Sequence, residues 1–124
     1  MSQITGIDHP AIAVADVDAY ADWCCSVLGF ERVFRHDKPV WILRSADGTL
    51  IEIMPQDDTA RPDRTTWTPG WSHLAMRVAD FDAAVTELSA HGVQWTGEEV
   101  AAIGGGRVRS FADPEHNMWQ IVAR

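Results

Sequence analysis

The sequence predicts an α+β protein of two tandem halves, each a strand, a helix and three further strands. Three observations carry that expectation. The stretch Gly6-Ile7-Asp8-His9-Pro10-Ala11-Ile12-Ala13-Val14 has a near-copy in Gly70-Trp71-Ser72-His73-Leu74-Ala75-Met76-Arg77-Val78. Both run into the same continuation, Val14-Ala15-Asp16-Val17-Asp18-Ala19 and Val78-Ala79-Asp80-Phe81-Asp82-Ala83. The ends of the halves match too: Ser45-Ala46-Asp47-Gly48-Thr49-Leu50-Ile51-Glu52-Ile53 aligns with Phe111-Ala112-Asp113 through Met118-Trp119-Gln120-Ile121, which sets Glu52 opposite Gln120.

In the first half, Ile4–Ala15 alternates loosely as a strand does, with Pro10 removing one ladder donor. Asp16 is the expected N-cap. Val17, Tyr20, Ala21, Cys24, Val27 and Leu28 then recur at helical spacing until Gly29 stops the helix. Glu31–His36 and Val40–Arg44 read as strands around an Asp37-Lys38-Pro39 turn, and Asp47-Gly48 turns the chain into a strand over Thr49–Pro55. Residues 1–56 make the first module. The polar, proline-bearing stretch 57–69 is the expected connector, and 70–124 the second module, all within one domain.

The second module repeats the plan with a strand over Gly70–Ala79, cap Asp80, a helix Phe81–His91 ended by Gly92, and a strand Val93–Thr96. Gly104-Gly105-Gly106 is expected as a mobile loop, since no helix pattern follows it to make an anion-binding turn. Strand Arg107–Phe111, the turn Ala112–Asn117 and strand Met118–Ala123 complete the chain.

At 124 residues the chain is long enough to bury a real core as one domain. Its net charge of −8 argues against nucleic acid or an anionic membrane as partner, because both need a basic patch. Cys24 and Cys25 are neighbours in a helix and form no disulfide framework. Neither a secretory leader nor an 18-residue apolar run is present, so the expected location is the cytoplasm.

Period-two alternation sorts the strand side chains by face. His9 lies with Ile7 and Ala11, His73 with Trp71, Ala75 and Arg77, Glu52 with Leu50 and Met54, and Gln120 with Met118 and Val122. The opposite sides, Ile51 and Ile53 or Trp119 and Ile121, are apolar and belong under the helices. Two imidazoles, a carboxylate and an amide thus share the face away from the helices. This is a metal-ligand set suited to zinc, nickel, cobalt, manganese or iron, with open positions for water and substrate. Buried between two isoleucines, Glu52 requires a cation or an arginine nearby, with Arg44 and Arg77 as candidates. His36, His91 and His116 read as surface or turn residues.

Through Gly6-Ile7-Asp8-His9, Leu28-Gly29-Phe30, Gly70-Trp71-Ser72-His73-Leu74-Ala75 and Phe111 to Ile121, the chain resembles the vicinal oxygen chelate superfamily, the glyoxalase, bleomycin-resistance and extradiol-dioxygenase group. The resemblance spans nearly all of the sequence. It implies two βαβββ modules forming a cupped mixed sheet, often completed in a homodimer, and a divalent metal held by His9, Glu52, His73 and Gln120. Two positions depart from the family pattern: Gln120 stands where a glutamate is usual, and His116 where a glycine is usual.

The first function implied is that of a metal-dependent lyase, isomerase or epimerase acting on a small carbonyl or vicinal-oxygen compound, with Glu52 both ligand and proton-transfer group. Trp71, Met54, Met118 and Trp41, with Trp67, would receive an apolar or planar substrate body, and Arg77 an anionic end. The alternatives are a metal-free protein that sequesters a planar drug, favoured by Gln120 and the tryptophans, and an iron-dependent ring-cleaving dioxygenase, which the missing last carboxylate opposes.

Overall fold

Asp16 and Asp80 start the two helices in the same way. Each has an extended backbone and accepts a hydrogen bond from the amide three residues on, Ala19 at 2.9 Å and Ala83 at 3.0 Å, which satisfies one of the donors a helix start leaves open. Helix α1 runs Val17–Leu28 and ends at Gly29 with a left-handed φ of 72°. Helix α2 runs Phe81–Ala90 and is closed by His91 and Gly92. The computed structural model describes residues 2–124. The chain forms two compact units, one up to Thr59 and one from Ala60 to Arg124. The second unit therefore takes in most of the expected connector: Arg61 donates to the Glu115 carbonyl at 2.9 Å, and Arg64 to the carbonyls of Thr68, Pro69 and Trp71.

The first unit holds a four-stranded mixed sheet of β1 (Ala11–Val14), β2 (Glu31–His36), β3 (Val40–Arg44) and β4 (Leu50–Pro55), in the order β1-β4-β3-β2. Strand β1 lies parallel to β4, and the rest of the sheet is antiparallel. It is shorter than the alternation predicts. Pro10 has no N–H to give, so the ladder opens with its carbonyl accepting from Glu52 N at 3.0 Å.

The second unit is a five-stranded mixed sheet. Its main path is β5 (His73–Arg77), β9 (Met118–Ala123), β8 (Arg107–Ala112) and β6 (Gln94–Trp95), with β7 (Val100–Ala101) also on β8. Strand β7 is absent from the sequence reading because two residues carry no period. The glycine run is not a free loop but a turn from β7 into β8. Arg124 fastens it by donating to the carbonyls of Ile103 and Gly105, while Ala102 N donates to Gly106 O.

Each sheet has one helix-covered face and one open face. In the first unit Leu43, Ile51 and Ile53 are buried with Val17, Tyr20, Ala21 and Cys24 of α1. Asp18 of α1 accepts from the Trp41 indole at 2.8 Å and pairs with Arg35, and Asp22 pairs with Arg32, whose guanidinium lies over Trp41. These contacts hold the helix on the sheet, and they lower the Asp18 carboxyl pKa, chiefly through the indole hydrogen bond. In the second unit Phe111, Trp119 and Ile121 form the core with Phe81 and Leu88 of α2. Arg107 lies over the Phe81 ring and bridges Asp82 to Glu99.

Candidate functional site

The register shows how precisely the duplication is kept. In the first sheet Ala11 pairs with Glu52, and in the second Ala75 pairs with Gln120. Each histidine lies two residues before its alanine. His9 and Glu52 therefore hold the same relation across a parallel strand pair as His73 and Gln120 do. All four belong to the open faces, because the residues flanking Glu52 and Gln120 are buried under the helices.

Both imidazoles are restrained through Nδ1 by the residue just before them. His9 Nδ1 donates to Asp8 Oδ1 at 2.7 Å, and His73 Nδ1 lies 2.9 Å from Ser72 Oγ. Such an anchor fixes the ring and leaves Nε2 as the presented atom, the arrangement that orients histidines toward a metal. Asp8 and Ser72 were not among the expected site residues, although each stands next to its histidine in the repeat.

In the first unit the presented nitrogen meets the carboxylate, with His9 Nε2 3.0 Å from Glu52 Oε2. His9 is thus the hydrogen-bond partner that Glu52 finds across the strand pair. Arg44 is engaged elsewhere, with Glu31 at 3.1 Å. The His9 pKa is raised, first by the hydrogen bond to Asp8 and further by the nearby Glu52 charge, against an opposing effect of burial. In the second unit Gln120 Nε2 donates to Ser110 Oγ at 3.1 Å. The amide nitrogen is thereby tied to β8, and the carbonyl oxygen is the end left to act as a ligand. Among the described residues no group of three or more His, Cys, Asp or Glu side chains is gathered to hold a metal ion. The donors come as a pair in each module.

The expected substrate contacts divide. Met54 and Met118 are half-buried on the open faces, opposite Ala13 and His73. Trp71 and Trp67 are 97% and 89% exposed, so neither packs into a wall. Trp41 pairs with Ile53 and therefore lies on the helix side of its sheet, the wrong face for a substrate beside Glu52. The face of β3 is set by its pairing with β4, which alternation along β3 alone does not show. Arg77 is on the His73 face but at the far end of β5, opposite Val122. Sequence reasoning missed an apolar shelf next to Glu52: Phe34, Val40 and Ile42, with His36 and Lys38, line a shallow depression of about 300 Å³ that Glu52 closes. Phe34 pairs with Ile42, and Ile42 with Glu52, so one face carries all three.

Two tandem modules, each a helix packed on a mixed sheet, are the arrangement in which the comparisons agree. The family model for the Glyoxalase/Bleomycin resistance protein/Dioxygenase superfamily matches residues 6–121, and the chain belongs to that superfamily. The uncharacterised protein YaeR of Escherichia coli strain K12 is 30% identical, the match covering 88% of each chain. A superfamily member from Sphaerobacter thermophilus has the same fold, with a TM-score of 0.80, 22% identity and coverage of 99% of this chain and 100% of that one. The fosfomycin resistance protein FosX of Listeria monocytogenes, solved with Mn(II) and sulfate, gives a TM-score of 0.77 at 22% identity, covering 98% of this chain and 91% of that one.

Proposed function

We propose that the protein is a divalent-metal-dependent enzyme of the glyoxalase-like kind, a lyase, isomerase or epimerase acting on a small carbonyl or vicinal-oxygen compound. The observation that carries this reading is the repeated donor pair, with the His9 Nε2 to Glu52 Oε2 contact at 3.0 Å as its most developed half. The donor chemistry, an imidazole nitrogen and a carboxylate oxygen, suits a divalent ion, which His9 and Glu52 would help to hold. The proposed ligands are His9 and Glu52 from the first module and His73 and Gln120 from the second. The Mn(II) of FosX supports a metal in this fold but leaves its identity here open among zinc, nickel, cobalt, manganese and iron.

When bound, the ion supplies Lewis-acid stabilisation of negative charge on neighbouring substrate oxygens. The chain does the rest. Asp8 and Ser72 hold the two rings in place. Glu52 is the one carboxylate among the four ligands, and it moves the proton at the carbon next to the carbonyl. Phe34, Val40 and Ile42 exclude water from one side of that carboxylate and receive the apolar part of the substrate. A cytoplasmic homodimer is the working assembly of this reading.

Elemental analysis of untagged protein should find near-stoichiometric metal that disappears in His9→Ala. Protein that stays metal-free after incubation with zinc, nickel, manganese and iron(II) would sink the proposal. The 55% exposure of Phe34 beside Glu52 favours a second reading, a metal-free protein that sequesters a planar ligand. That protein would keep its ligand affinity in His73→Ala, whereas the enzyme would lose metal and turnover together.

A further inference from the structure

The second unit contains a cavity of about 300 Å³ that the proposed chemistry does not use, lined by Arg61, Arg64, Thr65, Thr66, Ser72, Thr96, and by Ala112, His116 and Met118. No carboxylate side chain lines it. This is unusual for a chain with 18 acidic and 10 basic residues. Arg32, Arg35, Arg44, Arg107 and Arg109 each face a carboxylate. Arg61 and Arg64 instead bond only backbone carbonyls among the described residues: Arg61 that of Glu115, and Arg64 those of Thr68, Pro69 and Trp71. These bonds fix the two guanidinium groups in place without neutralising them, and each keeps N–H donors to spare.

His116 adds a second sign of purpose. It is the one non-glycine residue with positive φ among the described residues, at 67°. A strained residue retained at the rim of a cavity points to a ligand more than to stability. The cavity also adjoins the site already described: Ser72 lines it while bonding His73 Nδ1, and Met118, another lining residue, pairs with His73 across the sheet.

We infer that Arg61, Arg64 and His116 form a subsite for an oxyanion, a carboxylate or phosphate-like group at the end of the substrate whose reacting oxygens lie toward His73. The inference rests on the proposed enzyme reading for the word substrate but not for the site itself. It moves the anion contact from Arg77, which stands at the other end of β5, to the two arginines beside Met118. Two planar cationic forks, with the hydroxyls of Thr65, Thr66 and Ser72, fit a small tetrahedral or planar oxyanion. The cavity volume suits a compact group.

The test uses the full chain stripped of metal by chelation, so that it is independent of the metal reading. Calorimetric titrations with inorganic phosphate, methylphosphonate and acetate should show saturable binding of at least one probe, and the preferred probe identifies the oxyanion class. Arg61→Gln should weaken that binding by about tenfold or more, the loss of one charge-assisted contact, whereas Arg77→Gln, an equal change of charge elsewhere in the second unit, should leave it unchanged. His116→Gly suits the backbone at that position, so it tests the imidazole without threatening the fold, and it should also weaken binding. Equal weakening by the Arg61 and Arg77 variants, or no saturable binding of any probe, would overturn the subsite. A protein that binds metal but no probe loses this inference and keeps the proposed function, and one that binds a probe but no metal does the reverse.

Discussion

The two modules place their donors alike and differ in the second donor and in the residue that anchors the histidine. In the first, a histidine anchored by Asp8 meets a carboxylate, and in the second a histidine anchored by Ser72 lies across from an amide. The backbone register is shared, so what differs is charge and the ability to hold a proton. Under the proposed function, proton transfer belongs to the first module and neutral ligation to the second. Exchanging the groups tests that division and should give the largest effects. Glu52→Gln makes the first module resemble the second, and turnover should fall by about 10²–10⁴-fold, the usual contribution of a positioned acid–base group. Gln120→Glu supplies a second carboxylate and should tighten metal binding, without restoring turnover when combined with Glu52→Gln. Steady-state kinetics and metal titration check both, and a Glu52→Gln protein with unchanged turnover would refute the assignment.

The turns before the last strands make a second comparison. Asp113 is buried and accepts from the amides of Glu115 and Asn117, the Asn117 side chain and the Trp119 indole. Asp47, its counterpart, is solvent-exposed and accepts from Ser45 Oγ and Thr49 N. Removing Asp113 leaves several donors without their acceptor, including the indole N–H of a core tryptophan. Asp113→Ala should therefore cost about 3 kcal/mol in urea unfolding. Asp47→Ala should cost much less. The Asp47 effect is visible instead in its pH dependence. Hydrogen bonds from the Ser45 hydroxyl and then Thr49 hold its carboxyl at about 2, against roughly 4 in an unfolded chain. A depressed carboxyl stabilises the fold above the unfolded value and loses that contribution as pH falls toward 2. Asp47→Asn should flatten the acid side of the stability profile, and an unaltered profile would show that the turn's hydrogen bonds do not survive in solution.

How much of this was legible in the sequence follows from which signals are periodic. Caps Asp16 and Asp80, strands Glu31–His36, Val40–Arg44 and Met118–Ala123, and the apolar faces of β4 and β9 could be read directly, because alternation and capping are local and repeated. The short β1 and β5 were overextended, since sequence shows which residues can alternate but not where a ladder finds partners. Trp41 was misplaced because a face is fixed across strands, through its pairing with Ile53. Arg61 and Arg64 went unnoticed for a different reason. They lie in an aperiodic, proline-bearing stretch, and only the carbonyls they bond reveal that the stretch is built.

The smallest expected effect returns to the same pair of turns. The residue two before the last strand is left-handed in both, Gly48 at φ 90° and His116 at φ 67°. An added Cβ at Gly48 would meet nothing within 4 Å, so the backbone conformation alone sets the cost of a side chain there. Gly48→Ala should cost about 1 kcal/mol. His116→Gly relieves a similar strain but returns conformational freedom to the unfolded chain, so its gain should not exceed about 1 kcal/mol. Paired urea unfolding curves resolve both changes. A stability that holds or rises in His116→Gly while oxyanion affinity falls would mean that the imidazole is kept at a cost to the fold, as expected of a ligand contact. A loss of stability beyond about 1 kcal/mol would mean instead that His116 braces the turn through its own packing.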